Sequence, residues 1–190
     1  MPKIILASKS PFRKKMLQEA GMKFEILVSD AEEIADATKS FQSQLKEISM
    51  AKAQNVFEKT IAQGERIIVA ADQNIVFENA MYGKPKYAEE ARQLIKKMSG
   101  KEDIFSYVGN TIIYANGNKI LQVVNNCDIA RMRMDNISDE DIEDYLANDM
   151  YLTKCGGMHI SDGFLHLEEG RMSTASGMTI EYLQDFLETL

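Results

Sequence analysis

Hydroxyl and cationic side chains near the start of the chain have the types and spacing of an anion-binding site. The apolar residues 4–7 predict a short buried strand. Ser10-Pro11 then predicts the start of a helix, because serine is a favoured N-cap and proline suits the first turn. Unpaired backbone N–H groups at such a start attract anions, and Ser8, Arg13 and Lys14 would assist them. We therefore predict a phosphate-binding cradle, although a capped helix with solvated lysines fits the same residues.

Two charged residues farther along the chain occupy positions where chemistry is expected. The apolar run 66–71 predicts a strand buried on both faces, and Asp72 directly follows it. The carboxyl end of a buried strand is where open α/β sheets place reactive groups, although a capping or turn aspartate fits the same position. Lys52 lies among small and apolar residues of a helix predicted over 41–63. Its ammonium either snorkels to solvent or points into a site.

The elements that must position these residues follow from hydrophobic periodicity and turn signals. The Asn-Gly turn at 116–118 predicts an antiparallel hairpin, so the sheet should be mixed rather than purely parallel. No repeat or linker interrupts the chain, which predicts one domain over residues 1–190. Helices are predicted over 11–20, 41–63, 88–98, 138–147 and 178–190, and strands over 4–7, 24–28, 66–71, 104–114, 119–134 and 164–167.

Composition excludes several classes of protein. The chain has 190 residues, of which 45% are apolar and 27% charged, as in ordinary globular proteins. A net charge of −7 argues against general binding to nucleic acid or to membrane surfaces. The sequence contains no Walker pattern, no apolar run long enough for a membrane span and no signal-peptide pattern. The two cysteines, Cys127 and Cys155, form no motif. We therefore expect a cytoplasmic protein.

Five short segments, taken in order, resemble a known family. They are LASKSPFR at 6–13, MAKA at 50–53, AAD at 70–72, GKP at 83–85 and SGK at 99–101. Together they resemble the Maf family of nucleoside triphosphate pyrophosphatases. The resemblance implies a Maf-like or ITPase-like α/β fold, with a mixed twisted sheet, flanking helices and a central nucleotide-binding cleft. It also implies cleavage of a nucleoside triphosphate to the monophosphate and pyrophosphate, a divalent cation (Mg²⁺ or Mn²⁺), and pairing into a homodimer as an open possibility.

The family pattern assigns roles to individual residues of this chain. Asp72 matches the catalytic aspartate, our candidate for the base that activates water, and whether it also binds the metal stays open. Glu33 matches an acidic residue that we expect to be a metal ligand. A triphosphate carries up to four negative charges, so positive groups must offset them. The residues expected on the phosphate side are Ser8, Ser10, Arg13, Lys52 and Lys84.

Three departures from the commonest pattern resemble the subfamily that acts on 7-methyl-GTP. They are Phe12 in SPFR, Gln73 after Asp72, and Asp162 in the segment 155–163. N7-methylguanine is cationic, so Phe12 could stack on it with about 1–2 kcal/mol of cation–π energy. Asp162 could accept hydrogen bonds from the guanine edge. Helix packing for Phe12 and an ordinary turn for Asp162 are the alternatives.

Other departures leave the pocket for the base less defined than the phosphate end. Met158 and His159 differ from the usual small and aromatic residues, and Gly177-Met178-Thr179 stands where the family carries GLP. Neither His159 nor His166 has a partner at metal-binding spacing, so both are expected to be structural. The alternative functions are a dTTP/UTP pyrophosphatase of the same family and a low-turnover nucleotide-binding regulator of cell division.

Overall fold

The computed structural model describes residues 2–34 and 36–190. Within them no helix combines the length and the apolar character that crossing a membrane requires. Short 3₁₀ turns occur at Asp149–Thr153, Cys155–Gly157 and Ile160–Asp162. The helices and strands are β1 (Lys3–Leu6), α1 (Pro11–Glu19), β2 (Phe24–Ile26), α2 (Phe41–Lys59), β3 (Arg66–Phe77), β4 (Ala80–Tyr82), α3 (Ala88–Met98), β5 (Ile104–Asn116), β6 (Lys119–Met134), α4 (Asp139–Leu146), β7 (Leu165–Glu169), α5 (Met172–Ala175) and α6 (Glu181–Glu188).

The strands form a mixed sheet with helices, as the sequence predicts. Its order is β2-β1-β3-β5-β6-β7, and β4 pairs with β3 outside this path. The pairs β1–β2 and β1–β3 are parallel, whereas β3–β4 and β6–β7 are antiparallel. Gly117, at the turn between β5 and β6, has φ +57°, which suits a tight hairpin turn.

The described chain divides into two compact units. The first contains the residues up to Asp72 together with 108–128 and 177–190, and the second contains 73–107 and 129–176. Strands β3, β5 and β6 each contribute residues to both units. A single domain over 1–190 stays a prediction.

Alternation along β1 and β3 gives the first unit two buried faces. Ile4, Leu6, Ile67 and Val69 join one apolar cluster with Leu17 of α1. The intervening strand residues join a second cluster with Ala53 and Val56 of α2; they are Ile5, Ala7, Ile68 and Ala70. Apolar runs that lack a polar alternation are typical of strands covered on both sides, which is what the sequence predicted here.

A glycine sets how closely α2 approaches β5. A Cβ atom on Gly109 would lie 2.1 Å from the carbonyl oxygen of Leu45, so a larger residue would push the helix away. Nearby, the buried hydroxyls of Ser49 and Thr111 lie 2.9 Å apart and hydrogen-bond across the same contact. Lys52 lies three residues after Ser49 on α2, so this contact helps to set the distance between the Lys52 side chain and the sheet.

The helix α2 ends earlier than the sequence predicts, at Lys59 instead of residue 63. The Thr60 hydroxyl donates to the carbonyl of Val56 and accepts from the guanidinium of the fully buried Arg66 at 2.8 Å. The same guanidinium donates to the carbonyls of Gly64 and Gly117. These bonds hold residues 60–65 in a turn that a continuing helix would disrupt.

The strand that carries Asp72 does not end there, which corrects the prediction. β3 continues to Phe77, because Ile75, Val76 and Phe77 are buried and pair with β4. Asp72 therefore lies in the middle of a long strand. The last predicted helix also differs, since it begins at Glu181 instead of residue 178.

The second unit has its own core around α3. Ala91, Leu94 and Ile95 of α3 join an apolar cluster with Ile142 of α4. Met158, one of the departures from the family pattern, is 4% exposed within this cluster. Its side chain therefore contributes to packing.

Candidate active site

The residues predicted to bind phosphate lie at the capped start of α1. Ser10 is the N-cap of the helix, and its hydroxyl accepts from the backbone N–H of Arg13 at 3.5 Å. The hydroxyl of Ser8 accepts from the backbone N–H of Ser10 at 3.2 Å and from Nη1 of Arg13 at 3.1 Å. Ser8 is buried, so the guanidinium is held beside the loop and close to the helix start. The local arrangement combines a helix dipole with a positive side chain, as an anion site requires.

The segment where the family carries GLP orients Arg13. The Nε atom of Arg13 donates to the carbonyl of Gly177 at 2.8 Å. Thr179 stands at the proline position, and its backbone N–H donates to the Asn110 side chain at 3.0 Å. The Asn110 amide donates in return to the Thr179 hydroxyl at 3.1 Å. A proline has no N–H to satisfy, whereas threonine leaves a buried donor, and Asn110 pairs with that donor. No motif or spacing in the sequence marks this pair of residues.

Lys52 links the two acidic residues that the sequence selects. Its Nζ atom lies 2.8 Å from a carboxylate oxygen of Glu33 and also donates to Oδ1 of Asp72. The side chains of Lys52 and Asp72 are largely buried, while that of Glu33 is 60% exposed. The lysine predicted either to snorkel or to point into a site therefore points at the two carboxylates. An ammonium has three N–H donors, so this arrangement leaves one that can reach a phosphate oxygen.

Burial and charge act in opposite directions on Asp72. Burial raises the pKa of its carboxyl above the ordinary value of 3.8, because a low-dielectric environment disfavours the charged form. The positive charges of Lys52 and Arg13 partly offset this rise, and the negative charge of Glu33 adds to it. The Asp72 carboxylate thus lies close enough to be affected by the charges of Arg13, Lys52 and Glu33. A raised pKa suits a group that must take a proton from water.

The two carboxylates fit a divalent cation that binds together with a polyphosphate. Within residues 2–34 and 36–190, no group of three or more histidine, cysteine, aspartate or glutamate side chains could hold a metal ion. Glu33 and Asp72, held on one ammonium, nevertheless supply two oxygen donors. Mg²⁺ commonly takes one or two carboxylates from the protein and its other oxygens from water and substrate phosphates. The oxygen-only donor set favours Mg²⁺ or Mn²⁺.

In the second unit, Lys84 lies exposed in the loop after β4. The loop is held on both sides of this lysine. The Gly83 carbonyl accepts from the backbone N–H of Gly156 at 2.8 Å, and Pro85 is buried. These two features restrain the loop that carries Lys84.

Asp162, also in the second unit, is engaged by the protein itself. One of its oxygens lies 2.7 Å from Nζ of Lys154, and the other accepts from the Tyr145 hydroxyl at 2.8 Å and from the backbone N–H of His159 at 2.7 Å. Lys154 is 6% exposed and also lies over the Tyr145 ring. The contacts of Lys154 and Tyr145 with Asp162 could not be predicted from the sequence. A lysine beside Cys155 and a tyrosine on an acidic helix are both usually exposed to solvent. These contacts make Asp162 the anchor of its own loop.

Two further residues assigned to the base differ in their surroundings. The amide of Gln73 donates to the Ser106 hydroxyl at 2.9 Å and to the carbonyl of Ala175 at 3.2 Å, all within the second unit. Phe12, in the first unit, is half-buried on α1. The Gln73 amide thus has partners inside the protein.

The histidines have structural partners. The His159 ring accepts from the backbone N–H of Ser161, and His166 lies 2.6 Å from a carboxylate oxygen of Asp135.

Burial raises the pKa of Cys127 to about 11, so its thiol stays protonated at neutral pH. The Cys155 thiol donates to the carbonyl of Gln73 at 3.0 Å.

Comparisons with known proteins agree with the resemblance carried by the motifs. The sequence profile of the family described as Maf-like protein matches residues 3–190. A dTTP/UTP pyrophosphatase of Clostridioides difficile is 30% identical over 188 residues, which cover 97% of this chain and 93% of that protein. Proteins with the same name match from Caldicellulosiruptor bescii (31% identity, 100% and 96% covered) and Alkaliphilus oremlandii (35% identity, 84% and 80% covered).

One solved structure, a nucleoside-triphosphatase (dITP/XTP pyrophosphatase) of Mycobacterium abscessus, aligns with 98% of this chain and 93% of that one. The TM-score is 0.42 and the identity 16%, a distant likeness that has no bearing on function.

Proposed function

Because the chain belongs to the family of Maf-like proteins, we propose that it hydrolyses a nucleoside triphosphate to the monophosphate and pyrophosphate. The observation that carries this proposal is the Lys52 ammonium, which joins Glu33 and Asp72 in the same unit as the Arg13 cradle. A protein that only binds a nucleotide needs positive groups but no buried carboxylate among them. The set therefore favours an enzyme over a nucleotide-binding regulator.

Each residue of this set has a task in the proposed reaction. Asp72 accepts a proton from the attacking water, and its raised pKa increases its basicity. Lys52 and Arg13 offset negative charge that develops as the pyrophosphate leaves. A divalent cation bound with the triphosphate would supply further charge compensation. Glu33 and Asp72 are the proposed metal ligands, with Ser8, Ser10 and Lys84 as phosphate-binding residues.

For the base, the internal bonding of the second unit favours dTTP or UTP over 7-methyl-GTP. Recognition of the guanine edge would require acceptor capacity on Asp162, and this carboxylate already accepts three hydrogen bonds from the protein, which leaves little for a base. The Gln73 amide is likewise engaged by Ser106 and Ala175. The relatives described above carry the name dTTP/UTP pyrophosphatase. We therefore take the pyrimidine triphosphates as the first candidates and 7-methyl-GTP as the second, on the strength of Phe12.

A panel of triphosphates tests both parts of this proposal. We expect pyrophosphate release from dTTP and UTP in the presence of Mg²⁺, with kcat/KM at least about tenfold above that for 7-methyl-GTP and GTP, since one recognition contact is worth about that factor. The control reactions contain chelator in place of Mg²⁺. Tight binding without turnover across the whole panel would instead identify a regulator, and a preference for 7-methyl-GTP would reverse the assignment of the base.

Substitution of Phe12 by alanine distinguishes stacking on a cationic base from helix packing. If dTTP and UTP are the substrates, Phe12→Ala should change their kcat/KM and that of 7-methyl-GTP by similar factors, within about threefold, because no cation–π energy is lost. Leu17→Ala, a truncation of the fully buried residue of the same helix, is the control for stability. A selective loss for 7-methyl-GTP would show that Phe12 stacks on the methylated base.

A further inference from the structure

The carboxylate of Glu33 depends on a loop for its position. Glu33 follows β2 in a segment without regular secondary structure, and its side chain is 60% exposed. Upstream, the loop is anchored where the Leu27 backbone N–H donates to the carbonyl of Leu6 at 3.1 Å. Five residues lie between this anchor and Glu33, so further contacts must decide where the carboxylate lies.

One face of α2 provides those contacts. Lys52, Asn55 and Lys59 are spaced by three and four residues, which places them on the same side of the helix. Lys52 binds Glu33 itself, and Nζ of Lys59 lies 2.8 Å from Oδ1 of Asp30. Asn55, between the two lysines, faces the start of the loop.

Asn55 holds the backbone of the loop. Its Oδ1 atom accepts from the backbone N–H of Asp30 at 3.2 Å and from the Ser29 hydroxyl at 3.3 Å. The Ser29 hydroxyl in turn accepts from the backbone N–H of Ala31 at 3.0 Å. Asn55 is half-buried, whereas the carboxylate that Lys59 contacts is 74% exposed and screened by solvent. Asn55 is therefore the stronger restraint on this segment.

We propose that Asn55 is a positioning residue, which sets the affinity of Glu33 for a divalent cation by fixing residues 29–31 against α2. The inference rests on the proposed function in one respect, namely that Glu33 is a metal ligand. Outer contacts that orient a ligand typically change metal affinity by about 10–100-fold. Because the loop is anchored at other points, we expect a loss near the lower limit of that range.

The first experiment measures the restraint itself. In Asn55→Ala, the backbone amide of Asp30 loses its acceptor, so its hydrogen exchange should become faster, as followed by NMR or mass spectrometry of the peptide 28–34. Gln54→Ala, at an exposed neighbouring position of the same helix, is the matched control and should leave this exchange unchanged. Equal exchange in Asn55→Ala and the wild type would overturn the proposal.

The second experiment measures metal binding without turnover. Mn²⁺ is titrated into nucleotide-free protein and followed by electron paramagnetic resonance. Asn55→Ala should raise the Kd for Mn²⁺ about tenfold. In a Glu33→Gln background the same alanine substitution should have no further effect. An equal loss in both backgrounds would show that Asn55 does not act through Glu33.

The two proposals can fail separately. If no triphosphate is hydrolysed but the exchange and Mn²⁺ results are as expected, the proposed function is wrong and the role of Asn55 stands. If triphosphates are hydrolysed but Asn55→Ala leaves the Kd for Mn²⁺ unchanged, the positioning role is wrong and the proposed function stands.

Discussion

Replacement of Asp72 by asparagine is expected to lower kcat by roughly two to four orders of magnitude, because the amide cannot take a proton from water. Nucleotide binding without metal should be retained or tightened, since a negative charge next to the phosphates is removed, whereas binding of the metal–nucleotide complex should weaken, since Asp72 is also a proposed metal ligand. The fold should be kept, because asparagine has the shape of aspartate and avoids the cost of burying a carboxylate, and Glu33 remains as a carboxylate partner of the Lys52 ammonium. Single-turnover kinetics, nucleotide binding and thermal unfolding measure the three quantities.

The pH profile of the wild type gives a second measurement of the same group. A base works only when it is deprotonated, so kcat/KM should fall as the pH drops through the Asp72 pKa. Burial raises that pKa, which places this acidic limb above the ordinary carboxyl value of 3.8. Asp128→Asn, at a strand aspartate outside the proposed set, is the control and should keep the wild-type profile. Turnover of Asp72→Asn within a factor of two of the wild type would remove Asp72 as the base.

Replacement of Lys52 by methionine should have the second large effect. The side chain keeps its length and loses the charge that joins Asp72 and Glu33. We expect kcat/KM to fall by about 10²–10³, comparable to the loss of one group that stabilises transition-state charge. The remaining activity should have its acidic limb at higher pH. Lys52 lowers the Asp72 pKa, so its removal raises that pKa and the base becomes protonated earlier as the pH falls.

Two variants make the Lys52 experiment specific. Lys46→Met removes a positive charge from the same helix, about 1.7 turns earlier, and should leave both the rate and the acidic limb in place. Lys52→Arg keeps the charge and should therefore keep the limb near its wild-type pH. If the acidic limb of Lys52→Met lies at the same pH as that of the wild type, this limb does not reflect the protonation of Asp72.

Much of the site could be predicted because its signals are local. The N-cap Ser10, the proline after it and the apolar strand before it together define a helix start, and the structure forms that start. The Asn-Gly turn likewise predicted the hairpin and hence the mixed sheet, which is confirmed. Capping and turn formation depend on a few neighbouring residues, so they can be recognised without knowledge of the fold.

Contacts between distant residues could not be predicted in the same way. Asp72 was expected at the end of a strand, but pairing with β4 extends β3 beyond it. For Asp162, a contact with the base and an ordinary turn were both open, and its bonds to Lys154 and Tyr145 could not be read from the sequence. Both outcomes depend on partners that lie elsewhere in the chain.

By itself, the sequence determined the class of fold, the family and the residue types that can handle a polyphosphate. Only the tertiary structure decided which of these residues contact one another, as Lys52 contacts both Glu33 and Asp72. It also decided which of them bind to structural partners instead. The physical reason is the distance along the chain between the residues that interact. Helix caps and turns are settled within a few residues, whereas ion pairs, buried hydrogen bonds and pKa values depend on how distant segments pack together.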